Sequence, residues 1–411
     1  MERLLESLRA RPGVFPRARA HAAALALVGA ALLSGCAAIS RPPITVPQLQ
    51  QDAVQLSAKG RALRDSIIER LVRRAVTRGD GTLDVLMLSG GGQNGAFGAG
   101  FLRGWAQRTD APMPRFDLIT GISTGALQAP YALLGTKASL DTISALYARA
   151  ATSIAPTIDW WFWLRRTGGV VNTTRFDRTL ATTINGPFRD ALREAFLEDR
   201  QLIFATTDYD LGIGQLWSMG DALDTSAAGL ARTGQLLKAA TAIPGIFPSV
   251  MIDGHLHGDG GVIENVLATL TFDDYEQLAA RLAARGMHDV KVRVWVVMNM
   301  WTHPAPRVIT PSNRKAITSR SNTMLFFAHQ PATLQALEDL SRAVTSQIPQ
   351  LHMDVRVALL AAEESLSPGA QKLFEAKFMQ RLDSLGYAKS QQAMPWDRIP
   401  SAFRRPETDW R

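Results

Sequence analysis

The chain has very little cysteine, because Cys36 is the only one among its 411 residues. A single cysteine cannot close a disulfide bond within the chain. Long blocks of Lys or Arg are also missing, although the formal net charge is +8. We find neither a zinc-ligand spacing nor an RNA-binding aromatic motif. Nucleic acid is therefore not an expected partner, and we expect no metal or organic cofactor.

No low-complexity tract and no internal repeat is present, and hydrophobic residues make up 46% of the chain. That share is typical of a protein that folds around a buried core. The apolar run at residues 22–33 follows five arginines and is shorter than the roughly 20 residues that cross a bilayer as a helix. A positive region, an apolar region and small residues in this order predict a secretory signal peptide at residues 1–35.

The segment Leu33-Ser34-Gly35-Cys36 resembles the bacterial lipobox, in which the cysteine is acylated and becomes the first residue after cleavage. The resemblance implies a lipid anchor on Cys36. Ala37 stands where an aspartate would favour the inner membrane, which implies the outer membrane, facing the periplasm. The alternative is an ordinary signal peptide with an incidental cysteine.

Short apolar runs alternate with helix-spaced segments after residue 80. Residues 83–88, 116–120, 201–207, 214–219 and 292–300 are typical of strands. Strands that alternate with helices favour an α/β fold, with a mostly parallel central sheet covered on both faces.

The domain organisation follows from these patterns. We expect a proline-containing tether at residues 36–50, a catalytic domain at residues 51–310 and a helical C-terminal region at residues 311–411.

The first motif that indicates chemistry is Ser89-Gly90-Gly91-Gly92-Gln93-Asn94-Gly95, between a predicted strand and a predicted helix. Backbone N–H groups at such a turn bind negative charge, either a phosphate or the oxyanion of an acyl-transfer intermediate. Gly90, Gly92 and Gly95 also match the dinucleotide-binding fingerprint. However, no acidic residue ends a second strand about 20 residues later. The absence of a following Gly-Lys-Ser/Thr excludes a P-loop.

Two further motifs carry a nucleophile and a base. In Gly121-Ile122-Ser123-Thr124-Gly125, the serine lies at a turn from a strand to a helix, with Gly121 and Gly125 relieving crowding. Asp259 is followed by Gly260 and Gly261. A serine hydroxyl needs a base to become nucleophilic, and Asp259 can supply one. Taken alone, Asp259-Gly260 is equally typical of a surface turn.

In this order the three motifs resemble those of the patatin-like phospholipase family. The segment 239–248, an alanine-rich stretch that ends in proline-bracketed Phe247, fits the family as well. The resemblance implies a three-layer α/β/α sandwich and a lipid acyl hydrolase that acts on membrane lipid. It implies that Ser123 is the nucleophile, that Asp259 is the proton acceptor and that the amides around Gly91 and Gly92 hold the oxyanion.

One residue departs from the family pattern. The family commonly has Arg or Lys where this chain has Asn94. A lipoprotein that binds lipid without hydrolysing it is therefore the alternative function. Retention of both Ser123 and Asp259 argues against that alternative.

The base could also be a histidine. An aspartate has an intrinsic pKa near 3.9, so we expect burial to raise the pKa of Asp259 if it acts alone. Five histidines are the candidates for a Ser-Asp-His triad instead: His255, His257, His303, His329 and His352. The aromatic segment 159–164 is interpreted either as a membrane-docking loop or as part of the core.

Overall fold

The computed structural model describes residues 41–153, 157–159, 168–184, 186–223 and 226–402. The expected signal peptide and Cys36 lie outside the described residues. So do the aromatic side chains of the segment 159–164.

Helices are numbered along the chain. They are α1 (Val46–Arg78), α2 (Gly95–Trp105), α3 (Thr124–Leu134), α4 (Lys137–Ala148), α5 (Ala150–Ser153), α6 (Thr174–Thr183), α7 (Gly186–Leu197), α8 (Met219–Ala222), α9 (Ala227–Ala240), α10 (Phe272–Ala283), α11 (Arg314–Gln347) and α12 (Ala376–Ser390). Within the described ranges, no helix is both long enough and apolar enough to cross a membrane.

Helix α1 begins inside the segment that the sequence analysis interprets as an extended tether. Thr45 and Gln48 form a capping box at its start, and Pro47 lies in the first turn. Proline is tolerated there because the first N–H groups of a helix have no partner within the helix. The prediction of an extended segment up to residue 50 is therefore wrong from Val46 onward, since the prolines mark the start of a helix.

Strands are numbered in the same way. They are β1 (Thr82–Leu88), β2 (Leu118–Gly121), β3 (Thr157–Ile158), β4 (Val171–Asn172), β5 (Gln201–Asp208), β6 (Ile213–Ser218), β7 (Val250–Ile252), β8 (His255–Asp259), β9 (Val290–Met298) and β10 (Leu351–Leu359). The main sheet has the order β10-β9-β1-β2-β5-β8-β7, and β6 pairs with β5. Strands β10, β9, β1, β2 and β5 are parallel, whereas β6, β7 and β8 form antiparallel pairs.

The sheet is covered by helices on both faces. Along β1, Leu86 and Leu88 belong to one hydrophobic core, and the alternate residues Val85 and Met87 belong to the other. This alternation follows from the two-residue period of a strand. Helices α2, α3, α4 and α12 contribute to the first core, whereas α1, α10 and α11 contribute to the second. The predicted three-layer α/β/α architecture with a mostly parallel sheet is confirmed.

The sequence analysis predicts a helical C-terminal region, and this prediction is wrong because the region also contains a strand. It supplies β10, which pairs with β9 in parallel from Leu351 to Leu359. Apolar residues alternate along the start of this strand at Leu351, Met353 and Val355. That two-residue period is the signal of a strand covered on one face. Residues beyond 310 thus extend the sheet of the preceding domain.

The topology brings two loops together at one edge of the sheet. Leu88 at the end of β1 pairs with Gly121 at the end of β2. Because the strands are parallel, the glycine-rich loop and the serine turn leave the sheet side by side, where α/β proteins place their ligands. Strand β8 pairs with β5 from the other direction and sets Asp259 opposite Thr206.

Candidate active site

Ser123 lies in a strained turn between β2 and α3. Its φ is 50° and its ψ is −120°, a left-handed conformation that costs a residue other than glycine about 1–3 kcal/mol. Gly125 makes the turn possible, because a Cβ there would lie 2.2 Å from the carbonyl oxygen of Leu88. A Cβ on Gly121 would likewise lie 2.6 Å from the carbonyl oxygen of Gly125. The two glycines therefore let α3 start directly against the end of β1.

The structure brings the hydroxyl of Ser123 to the carboxylate of Asp259. Ser123 Oγ donates a hydrogen bond to Asp259 Oδ2 at 2.6 Å. The other carboxylate oxygen accepts the N–H of Gly261 at 2.8 Å. Ser123 is 6% exposed and Asp259 is 5% exposed. Asp259 thus lies in a buried contact, and not in the surface turn that the Asp-Gly pair alone would suggest.

Burial changes the acidity of Asp259. Loss of solvent raises the pKa of its carboxyl to about 6, while the hydrogen bonds from Ser123 and Gly261 act in the opposite direction. This upward shift is the direction that the sequence analysis expects of an aspartate base. At neutral pH the carboxyl group of Asp259 is ionised in most molecules and is able to accept a proton.

Strand β5 and the segment after α9 hold this carboxylate in place. The backbone N–H of Asp259 donates to the carbonyl of Ala242 at 3.0 Å. Thr207 Oγ1 donates to the carbonyl of Asp259 at 2.8 Å. A Cβ on Gly260 would lie 2.6 Å from the carbonyl oxygen of Ala205. Asp259 is therefore fixed by its backbone as well as by its side chain.

The glycine-rich loop lies beside the nucleophile. A Cβ on Gly90 would lie 3.2 Å from the Cβ of Ser123. Gly90 N–H donates to the carbonyl of Asn265 at 3.2 Å. By contrast, the amides of Gly91 and Gly92 donate no hydrogen bond to another group in the described part of the chain. These two N–H groups can serve an oxyanion, whereas Gly90 positions the loop.

The remaining glycine of the motif, Gly95, opens helix α2 against α3 and α4. A Cβ there would lie 2.3 Å from Thr124 Oγ1 and 2.2 Å from the hydroxyl of Tyr147. Gly95 therefore allows the close packing behind the loop and takes no direct part in the site.

Asparagine and glutamine side chains brace this loop, and sequence reasoning missed most of them. Asn299 Nδ2 donates to the carbonyl of Ser89 at 2.8 Å and to Gln128 Oε1 at 3.0 Å. Asn265 Nδ2 donates to Gln330 Oε1 at 2.8 Å. A polar residue directly after the apolar strand β9 was the only signal for Asn299. Asn265 also holds the glycine-rich loop through its backbone carbonyl, which accepts the N–H of Gly90 at 3.2 Å.

Asn94 lies at the floor of the site. It is 4% exposed, and its Nδ2 faces the sulfur of Met300 at 3.7 Å. Its Oδ1 is buried and has no hydrogen-bond partner among the described residues. The position that commonly carries a cation in the resembled family is therefore neutral and buried in this chain.

The histidines do not assemble a triad in the described structure. His255 Nδ1 is paired with Asp208 Oδ2 at 2.6 Å, and His257 Nδ1 with Thr206 Oγ1 at 3.0 Å. His303 contacts Thr302. In the described residues, the side chain hydrogen-bonded to Ser123 Oγ is that of Asp259 alone. His329 and His352, like the others, do not line either of the two cavities that reach Ser123.

The family model of patatin-like phospholipases matches residues 86–272, which contain all three motifs. Residues 86–272 are a patatin-like phospholipase domain. The family implies lipid acyl hydrolase activity. No curated protein is significantly similar to the chain in sequence. Among solved structures, VipD from Legionella pneumophila is similar at 14% identity and a TM-score of 0.33, covering 75% of this chain and 66% of that chain.

An apolar pocket extends from Ser123 into the patatin-like domain. Its empty volume is ≈ 910 Å³, part of which is open to solvent. Helices α3, α4, α6, α7 and α9 surround it. Its apolar lining includes Leu127, Ile143, Leu146, Phe176, Leu180, Phe188, Leu237 and Phe247. Thr124 and Tyr147, which also line it, are hydrogen-bonded to each other. The pocket thus favours a hydrocarbon chain over a polar group.

A wider cleft approaches the same serine from outside. It contains Gly91, Gly92, Ser123 and Asp259, and its empty volume including open solvent is ≈ 2450 Å³. Its outer wall comes from chain beyond the patatin-like domain, at residues 300–307, 320–327 and 365–373. Ser123 and Gly92 line both cavities, so Ser123 lies where the apolar pocket opens into the cleft.

Proposed function

We propose that the protein is a serine lipid acyl hydrolase that cleaves carboxylic esters through a Ser123–Asp259 dyad. The observation that carries the proposal is the 2.6 Å hydrogen bond from Ser123 Oγ to Asp259 Oδ2. A hydrogen-bonded nucleophile and base are the arrangement that covalent catalysis requires. The raised pKa of Asp259, to about 6, supports its role as the proton acceptor.

The chemistry proceeds in two steps. Asp259 takes the proton of Ser123 while Oγ attacks the ester carbonyl, and the N–H groups of Gly91 and Gly92 stabilise the oxyanion. Each such donor lowers the barrier by roughly 3–4 kcal/mol. The tetrahedral intermediate then collapses to an acyl-enzyme, and the proton on Asp259 passes to the leaving alcohol. Water attacks the acyl-enzyme with Asp259 again as base, which releases the fatty acid and regenerates Ser123.

The two cavities support a lipid as the substrate. The apolar pocket accepts the acyl chain, and the cleft accepts the rest of the molecule. A phospholipase A or lysophospholipase reaction fits this division. Hydrolysis of a lipid panel by the wild-type protein and by Ser123→Ala tests it. We expect fatty acid release from long-chain esters by wild type only, and release by the variant would contradict the proposal.

We further propose that Cys36 is acylated and that the protein is held on the periplasmic side of the outer membrane. The lipobox-like segment before Cys36 supports this. Membrane lipid would then be both anchor and substrate. Metabolic labelling with an alkyne fatty acid should mark the wild-type protein, and equal labelling of Cys36→Ser would contradict the anchor.

A second candidate is a lipid-binding lipoprotein without hydrolytic activity. The buried, neutral Asn94 at the usual cation position is the observation that favours it. Release of no fatty acid from any ester, together with unaltered binding of lipid by Ser123→Ala, would support this second function.

A further inference from the structure

The cleft outside Ser123 is lined by more positive than negative side chains. Its cationic lining residues are Arg307, Arg320 and Lys372, and its carboxylate is that of Asp259. Asp259 is already hydrogen-bonded to Ser123 and Gly261. In the part of the chain that the structure describes, none of the three cations forms an ion pair with a carboxylate. Their charge is therefore available to a ligand in the cleft.

These cations come from chain outside the patatin-like domain. Arg307 follows β9, Arg320 lies in α11 and Lys372 precedes α12, whereas the family model ends at residue 272. On the glycine-rich loop itself, Asn94 is neutral. The positive charge of the cleft thus comes from the C-terminal region, and none of these three cations lines the apolar pocket.

An apolar pocket beside a cationic cleft corresponds to the two parts of a glycerophospholipid. In such a lipid, a hydrocarbon chain lies on one side of the ester carbonyl and an anionic phosphodiester lies a few bonds away on the other. The apolar pocket and the cationic cleft are likewise two cavities with different linings that meet at Ser123. Arginine is suited to this role because its guanidinium can donate two parallel hydrogen bonds to phosphate oxygens.

We propose that Arg320, assisted by Arg307 and Lys372, binds the phosphodiester of an anionic phospholipid and selects it over neutral esters. The proposal rests on the proposed hydrolase function and names its substrate class. Arg320 is half-buried on α11, within the same wall as Thr323 and Phe327. The two exposed cations, Arg307 and Lys372, add charge at the rim.

A competition assay separates this role from general attraction to a charged surface. The full-length protein is given phosphatidylglycerol and diacylglycerol with the same acyl chains, in the same mixed micelles and with different isotopic labels. Because both esters lie in the same micelles, binding of the protein to the micelle surface affects their hydrolysis equally. The ratio of the two labelled fatty acids that are released therefore reports recognition of the headgroup at the site.

We expect wild type to prefer phosphatidylglycerol and Arg320→Gln to reduce that preference about tenfold, the usual effect of losing a hydrogen bond to a charged group. Arg320→Lys should restore part of the preference. Arg314→Gln is the matched control, since it removes the same charge from the same helix but does not line the cleft. Its ratio should equal that of wild type. Equal unfolding temperatures establish that the variants are folded.

Two results would overturn the proposal. One is an equal loss of preference in Arg320→Gln and in Arg314→Gln. The other is a ratio unchanged in Arg320→Gln, and inhibition by added inorganic phosphate in that case would mean that the cleft takes a free anion and not a headgroup. In each case diacylglycerol is still hydrolysed and the hydrolase function stands. Hydrolysis of neither ester would contradict the hydrolase function itself.

Discussion

Asp259 combines two properties that rarely occur together in an aspartate, burial and a hydroxyl partner. Its carboxyl pKa is raised to about 6 because burial disfavours the charged form. Only the ionised form can accept the proton of Ser123. We therefore expect kcat/KM for a water-soluble ester to rise with pH through a pKa near 6 and to level off above it, as pH-rate measurements would reveal. A profile that rises through a pKa near 3.9, the ordinary value of an aspartate, would show that burial does not raise the pKa of Asp259.

The same shift has a consequence for stability. The folded pKa lies above the ordinary value of 3.8, so the folded protein binds this proton more tightly than the unfolded chain does. The resulting stability is present below the ordinary pKa and is lost as pH rises through about 6.

Asp259→Asn cannot ionise and escapes that loss. At pH 8 its free energy of unfolding should exceed that of wild type by roughly 1–3 kcal/mol, although it should be inactive. At pH 4 the two should be nearly equal. Urea unfolding at both pH values measures the difference, and a difference independent of pH would exclude the carboxylate as its cause.

Ser123 and Asp259 can be singled out from the sequence more readily than the contacts that hold them in place. Ser123 and Asp259, the proposed nucleophile and base, are singled out by the order of three local motifs. The bracing by Asn299 and Gln128 depends on a contact between residues 171 positions apart, which no local pattern reveals. The burial of Asp259 likewise depends on the pairing of β8 with β5.

At the level of elements, the junction of β1 and α3 positions the nucleophile. A methyl group on Gly125 would meet the carbonyl oxygen of Leu88 at 2.2 Å. We expect Gly125→Ala to move α3 away from β1, to lower kcat by at least about tenfold and to reduce stability by about 1–3 kcal/mol.

Gly234→Ala is the matched control, because Gly234 lies within α9 and nothing lies within 4 Å of its Cβ position. It should leave kcat unchanged and stabilise the protein by about 0.5–1 kcal/mol. Kinetics and thermal unfolding of both variants test the pair. Similar effects of the two substitutions would mean that the junction is not the cause.

Elements whose pattern is strong were predicted, and those whose pattern is weak were missed. The strands of residues 83–88 and 201–207 are confirmed almost to the residue, since each contains four consecutive apolar residues, at 85–88 and 202–205. Strand β10 was missed because its apolar residues alternate with His352, Asp354 and Arg356, so it begins without the continuous apolar run that marks the predicted strands. The start of α1 was missed because Pro47 lies in its first turn and Pro42 and Pro43 precede it, and proline within a helix breaks it.

On the scale of the whole molecule, a buried charge network ties α1 to the sheet at the edge away from Ser123. Asp117 accepts hydrogen bonds from Arg74 at 3.0 Å, from Arg78 at 2.6 Å and from the backbone N–H of Asp84 at 2.8 Å. Asp117 is fully buried. Removing one partner of such a network leaves the others buried and unpaired.

We expect Asp117→Ala to lower the free energy of unfolding by about 3–5 kcal/mol, with kcat/KM of the folded protein unchanged. Asp141→Ala, which breaks the exposed pair with Lys137, should cost at most about 0.5 kcal/mol. Chemical denaturation compares the two. An equal effect of both variants would show that burial does not set the strength of the network.

The α/β/α architecture was predictable because strands and helices alternate along the chain. The contribution of the C-terminal region was not, because it depends on contacts between distant segments. Strand β10 and helix α12 complete the sheet and its cover, and residues 300–307, 320–327 and 365–373 build the outer wall of the cleft. The cleft beside Ser123 is thus built by distant parts of the chain, although the three motifs lie in one part of it.

The central claim is that Ser123 is a nucleophile activated by Asp259 alone. Labelling with a fluorophosphonate probe, followed by mass mapping of the modified peptide, tests it most directly. We predict rapid labelling of Ser123 in wild type and in His255→Ala and His257→Ala, little labelling in Asp259→Asn, and none in Ser123→Ala. Absence of label on Ser123 in the wild-type protein, or its loss on replacing a histidine alone, would contradict the account.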